Sequence, residues 1–210
     1  MKIAIALFEQ VTALDAVGPY EVLQRLPGAE VCFVGHRKGE VRTDNGFLGL
    51  TVDYTFDEVP NPEILLVPGG FGTRALVDDA VILDWIRTAH ETSRFTTSVC
   101  TGSLLLGAAG LLNGLNATTH FAARQLLVKY GATPSDQRVV EEGKIITAAG
   151  VSSGIDMALL LAERIADPTT AKALQLGIEY DPQPPYDAGA LHKVDATVLL
   201  RLQELAKDKK

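Results

Sequence analysis

Short apolar runs alternate along the whole chain with longer stretches in which apolar positions recur every three or four residues. The run Ile3–Phe8 predicts a buried strand, and Pro19–Leu26 predicts the body of the helix after it. Val31–Val34, bounded by Gly35, predicts a second strand. Val41–Phe56 is broken by Asp44-Asn45-Gly46 and Gly49 and predicts a hairpin or small antiparallel excursion. Ile64–Val67 runs into Pro68-Gly69-Gly70-Phe71-Gly72, so a strand enters a glycine-rich turn. Asp78-Asp79 can start a helix that carries Val81, Ile82, Trp85, Ile86 and Ala89 on one face.

The pattern continues with a strand over Arg94–Val99, a small-residue helix over Thr101–Leu112 and a short strand or turn at Ala117–His120. A helix over Phe121–Tyr130 is stopped by Gly131, and Arg138–Thr147 forms a hairpin around Glu142-Gly143. Ser153–Ala166 and Thr169–Tyr180 are helical, and the proline-rich Asp181–Tyr186 separates them from a last helix, Val194–Ala206, and a charged tail. This alternation predicts an α/β fold: one domain, residues 1–210, with a doubly wound, mostly parallel sheet and helices on both faces. Ligands in such folds sit beyond the carboxyl ends of the strands, so the search for chemistry starts there.

Composition narrows the classes. A chain of 210 residues buries about 70% of its unfolded surface and needs no disulfide or metal staple. Lys plus Arg is 19 against 26 for Asp plus Glu, a net charge of −7, which opposes binding to nucleic acid or anionic lipid. The longest stretch free of charged residues, between Arg94 and Arg124, is interrupted by Thr96, Thr97, Ser98, Thr101 and Ser103, so it does not read as a membrane span. Ile3–Phe8 is too short for a signal peptide, and the two cysteines make neither a zinc pattern nor a disulfide framework. The expected setting is the cytoplasm, with reduced thiols.

Cys100 is the most informative residue, because a strand meets it directly and Thr101-Gly102-Ser103 opens a helix directly after. That arrangement matches a nucleophile elbow, and the positive end of the helix is expected to favour thiolate. The competing reading is a core cysteine, which is the assignment for Cys32 inside Val31-Cys32-Phe33-Val34. The Gly69-Gly70 turn opens at the same sheet edge, where Gly70 and Thr101 N–H groups could make a two-donor anion hole. Asp15 also falls at this edge, either as a helix cap or as an acid facing Cys100; in the second case the two would share one proton. His120 is a base, an orienting partner or a hydrogen-bonded structural group. His36, His90 and His192 have no comparable setting, Glu21 reads as solvated, and no cluster has metal-ligand spacing.

At these residues the chain resembles the ThiJ/PfpI superfamily, whose members share a flavodoxin-like core of the class I glutamine amidotransferase type. Within it the chain is most similar to the isonitrile hydratase (isocyanide hydratase) group. The resemblance runs through Leu14-Asp15, Gly18-Pro19-Tyr20-Glu21-Val22-Leu23, Val67-Pro68-Gly69-Gly70 and Thr97-Ser98-Val99-Cys100-Thr101-Gly102-Ser103. It continues in Gly107-Ala108-Ala109-Gly110-Leu111-Leu112, Ala117-Thr118-Thr119-His120, Gly154-Ile155-Asp156 and the Glu179-Tyr180…Pro184-Pro185 segment. The resemblance implies that Cys100 is the nucleophile, Asp15 the carboxylic acid facing it, and Thr101 a residue touching both thiol and catalytic water. It implies a hydro-lyase that converts a small-molecule isonitrile, R–N≡C, into an N-substituted formamide, working as a homodimer without metal or organic cofactor. Superfamily peptidases place His directly after the nucleophile, where this chain has Thr101, and many members have Glu where it has Asp15. Two other functions are carried in the superfamily: a ligand- or redox-sensing module, and a glyoxalase- or deglycase-like enzyme for small aldehydes. Regulators add a helix-turn-helix region, for which the stretch after Val194–Ala206 is expected to leave no room.

Overall fold

Strands that are apolar on both faces belong inside a parallel sheet, and Ile64–Val67 is buried at every position. The computed structural model describes residues 1–207 and places this strand at the centre of a seven-stranded sheet, with three strands on either side. In chain order the first half contains β1 (Lys2–Ala6), α1 (Ala13–Leu23), β2 (Glu30–Gly35), β3 (Gly39–Arg42), β4 (Gly49–Val52), β5 (Tyr54–Thr55) and β6 (Ile64–Val67). There follow α2 (Thr73–Leu76), α3 (Ala80–Thr92), β7 (Phe95–Val99), α4 (Gly102–Ala108), β8 (Asn116–Ala117) and β9 (Thr133–Pro134). The second half closes with β10 (Val139–Glu142), β11 (Ile145–Ala148), α5 (Ser153–Ile165), α6 (Pro168–Gly177) and α7 (Ala196–Lys207).

The main sheet has the order β10-β11-β7-β6-β1-β2-β5, parallel throughout except for the β10–β11 hairpin at one edge. Strand order reverses beside β1: the chain leaves it first for β2 and later returns on its other side through β6. That reversal opens a crevice at the carboxyl ends of β1 and β6, where α/β sheets bind ligands. The fold class is therefore the mostly parallel α/β architecture that the alternation predicts. Within the described residues no helix is long and apolar enough to cross a membrane.

Tertiary contacts shift several boundaries. Helix α1 begins at Ala13, so Pro19 lies inside it rather than near its start. Pro19 has no N–H to give the Asp15 carbonyl, yet its ring packs where Gly154 of α5 leaves space: a Cβ on Gly154 would lie 3.1 Å from Pro19 Cγ and from Val99. Helix α4 ends at Ala108 and not Leu112, because Gly110 takes a φ of 87° and turns the chain away. Phe121–Tyr130 is a 3-10 helix, stopped by Gly131 at φ 73°. The predicted hairpins form as β3–β4 and β10–β11, whereas the short α2 has no counterpart in the periodicity.

Contacts cluster into two compact units, Met1–Ile178 and the part from Glu179 onward. The first holds the sheet and α1–α6. The second contains the proline-rich stretch, a 3-10 turn at Leu191–Lys193 and α7. The charged tail lies, from Asp208, outside the described residues.

The elbow after β7 is pressed against the end of β6: a Cβ at Gly102 would collide with the Val67 carbonyl oxygen. Gly102→Ala should therefore destabilise the protein by about 2 kcal/mol or more through forced backbone displacement, measured as a shifted urea midpoint at unchanged slope.

Candidate active site

Three strand-to-helix turns meet at the carboxyl edge of the sheet. Cys100 stands at the β7–α4 turn with a φ of 56°, a left-handed conformation that costs a non-glycine residue energy and survives only when its surroundings enforce it. They do: Cys100 N–H donates to Ala149 O at 2.9 Å and lies 3.1 Å from Ala148 O, and Thr119 Oγ1 donates to Cys100 O at 2.8 Å. The thiol is buried, and the backbone N–H groups of Thr101 and Val151 act on it.

Asp15 lies in the first turn of α1 and is completely buried. It does not cap that helix. Its Oδ2 instead accepts the Gly69 N–H at 2.9 Å, from the turn after β6. Its Oδ1 is one of three buried side-chain polar atoms without a hydrogen-bond partner among the described residues, and the carboxyl group interacts with the Cys100 thiol. Burial drives the Asp15 carboxyl up from 3.8 to about 7, with the Gly69 N–H bond and the Cys100 thiol opposing.

The thiol moves the same way. Burial, followed by the Asp15 charge, pushes Cys100 up to about 12, against the lowering effect of the Thr101 and Val151 N–H groups. The helix-dipole expectation of a depressed thiol is thus reversed. Helix α4 spans only Gly102–Ala108, and a two-turn helix does not offset the loss of water around a buried sulfur beside a carboxylate. In the resting pair the carboxyl gives up its proton before the thiol does.

The Thr101 hydroxyl and the Gly70 N–H close on each other rather than on the thiol, to which Thr101 turns only its backbone N–H. Gly70 N–H donates to Thr101 Oγ1 at 3.0 Å, and that hydroxyl also lies 3.1 Å from Thr73 Oγ1 and 3.3 Å from Gly70 O. The Gly70 N–H is therefore engaged by a side chain, and the second backbone donor at the sulfur is that of Val151. Sequence reasoning missed Val151. Its signal is the third turn of the same kind, Ala148 to Ser153, where this β-branched residue sits at a φ of 38° next to the strand paired with β7. Asp44 was also missed: Thr12 Oγ1 lies 3.1 Å from its Oδ2, and its charge raises Asp15 from the β3–β4 hairpin.

His120 follows Thr119 and caps the 3-10 helix, its Nδ1 accepting the Ala122 N–H at 3.3 Å. That bond leaves the proton of the neutral ring on Nε2. Burial and the Arg74 charge hold its pKa below the ordinary value. Cys32 is buried with Sγ 3.6 Å from Ile3 O, and Glu21 pairs with Arg25 at the surface. Among the described residues no group of three His, Cys, Asp or Glu side chains could hold a metal ion.

A mostly parallel sheet with a cysteine on a left-handed elbow and an acid opposite it defines a class of α/β proteins built around a buried thiol–carboxyl pair. Residues 1–164 match the DJ-1/PfpI family, and the chain belongs to it. It is 45% identical to an isonitrile hydratase of Pseudomonas putida over 90% of this chain and 83% of that protein. The crystal structure of a ThiJ/PfpI family protein from Pseudomonas syringae superposes with a TM-score of 0.93 at 37% identity, covering 99% of this chain and 86% of that one. More distant is the deglycase PfpI of Pyrococcus furiosus, 26% identical over 70% of this chain and 89% of its own length.

Because Asp15 is harder to ionise in the folded protein than in the unfolded chain, its charge costs stability. That cost is absent below the unfolded value of 3.8, grows as pH rises, and is complete above about 7. Asp15→Asn, which can still accept the Gly69 N–H, should stabilise the protein at pH 8 by on the order of 3 kcal/mol and hardly at all at pH 4, as read by chemical denaturation at both values. The same substitution removes the charge that raises Cys100, so the midpoint of iodoacetamide labelling at Cys100 should move to lower pH.

Proposed function

We propose that this protein hydrates isonitriles to N-substituted formamides, with Cys100 as nucleophile and Asp15 as the group that moves the proton. The observation that carries the reading is the buried Asp15 Oδ1, left without a hydrogen-bond partner beside a buried thiol. The terminal carbon of an isonitrile must receive both a nucleophile and a proton, and a thiol–carboxylate pair delivers both to one atom. The 45% identity to an isonitrile hydratase supports the same substrate class.

Asp15 carboxylate takes the thiol proton as the sulfur approaches the isonitrile carbon. The C–S bond forms, the proton passes from Asp15 to that carbon, and the product is a neutral thioimidate, R–N=CH–S–Cys100. Asp15, again a carboxylate, then takes a proton from water as the oxygen adds to the same carbon and passes it to the nitrogen, giving R–NH–CH(OH)–S–Cys100. Collapse of the tetrahedral adduct breaks the C–S bond, releases R–NH–CHO and returns the proton to the pair. The N–H groups of Thr101 and Val151 stabilise sulfur when it carries charge, at the start and at the end. In this scheme Thr101 Oγ1 and Gly70 hold the turn that fixes Asp15, and His120, next to the Thr119 that bonds Cys100 O, is assigned to substrate binding.

The reading takes the protein as a cytoplasmic homodimer that uses no metal or organic cofactor. A peroxide-sensing role is less favoured, because a thiol pushed up by burial keeps little of the thiolate that oxidants attack.

Wild type should convert cyclohexyl isonitrile to its formamide, followed by chromatography, and Cys100→Ala should give no product. Activity retained in Cys100→Ala would sink the scheme. Asp15→Asn should lower kcat by a factor of about 100 or more, consistent with the loss of a positioned acid–base. If wild type makes no formamide but converts small aldehydes, the deglycase-like reading replaces this one.

A further inference from the structure

Arginine in this acidic chain is almost always paired. Of ten arginines, nine donate to or pair with a carboxylate or carbonyl oxygen of the protein. Arg74 is the tenth, with no such partner among the described residues, although the sequence has 26 acidic side chains. Its guanidinium lies over the exposed Phe71 ring, 4.5 Å from the centroid, which orients the cation without neutralising it.

Its place is the edge of the candidate active site. Thr73, the residue before Arg74, lies 3.1 Å through its hydroxyl from Thr101 Oγ1. Thr119, the residue before His120, donates to Cys100 O. Arg74 and His120 are thus each one residue from a group bonded to the elbow, one on α2 and one at the start of the 3-10 helix. The two are within electrostatic reach of each other, and the guanidinium charge disfavours a second positive charge on the imidazole. A neutral His120, its Nδ1 accepting from Ala122 N–H, keeps Nε2–H as a donor.

We propose that Arg74 and His120 form a subsite for an anionic group, a carboxylate, carried by the substrate whose reactive end meets Cys100. An unpaired guanidinium presents a fork of donors that matches a carboxylate, and its ring support limits the entropy lost on binding. The proposal rests on the hydratase reading only for the identity of that reactive end. Arg74 takes no part in the bond changes.

Isocyanoacetate and its methyl ester share the reacting atoms and differ in charge. For wild type, kcat/KM should favour isocyanoacetate. Arg74→Gln should lose about tenfold on isocyanoacetate, carried mainly by KM, while the ester stays within about twofold. Arg74→Lys should recover part of the loss, and added salt should shrink the wild-type preference. Equal losses on both substrates would make Arg74 merely structural, and no loss on either would overturn the subsite. If no isonitrile is turned over, the hydratase reading fails and labelling of Cys100 still tests the subsite. The rate ratio of iodoacetate to iodoacetamide, followed by mass spectrometry on the Cys100 peptide, should fall by about tenfold in Arg74→Gln. An unchanged ratio would overturn the subsite by itself.

Discussion

Two hydrogen bonds run in opposite directions between the start of α1 and the turn after β6: Thr12 N–H to Gly69 O, and Gly69 N–H to Asp15 Oδ2. They span the point where strand order reverses, and they hold an acid against a thiol that arrives from a third segment of the chain. Without them a carboxyl group this deeply buried would lose its main compensation. The isolated bridges of Val11 to Thr43 and to Gly70 extend the same seam, so hairpin, helix start and glycine turn form one fastened unit. The site is built on backbone polar groups that the parallel sheet leaves available at its carboxyl edge.

Burial gives that unit its chemistry. Removing water raises both acids, the carboxyl to about 7 and the thiol to about 12; the Asp15 charge adds to the rise of the thiol, whereas the thiol opposes that of the carboxyl. The carboxylate is then placed to take the thiol proton as an electrophile engages the sulfur. A permanently exposed thiolate would be nucleophilic but would lack an adjacent buried acid–base. The arrangement exchanges resting reactivity for a proton held where a carbon will need it.

Much of this was legible in the residues. Ile64–Val67 reads as a buried strand because every position is apolar, and the Asp79 cap of α3 reads directly, since its carboxylate accepts from Val81 and Ile82 as a capping side chain should. Cys100 stood out because strand and helix signals abut there. Pro19 misled, since a proline inside a helix is tolerated only through packing against Gly154, which lies far along the chain. Val151 and Asp44 were invisible because their importance comes from what they face. The direction of the thiol shift was misread for the same reason: a helix start is local, whereas burial is a property of the closed sheet.

The site draws on segments around residues 12–15, 44, 69–70, 100–101 and 148–151, each delivered by a different strand. Parallel pairing of this kind is non-local, and such topologies close slowly because chain entropy is lost before contacts repay it. Val151 reaches the sulfur only after β11 has joined β7, so a ribosome must release most of the chain before the elbow is complete. Until then Cys100 is an ordinary solvated thiol in an unfinished sheet. Its distinctive chemistry is the last thing the chain acquires, and a nascent or truncated product that stops short of β11 carries the cysteine without the environment that governs it.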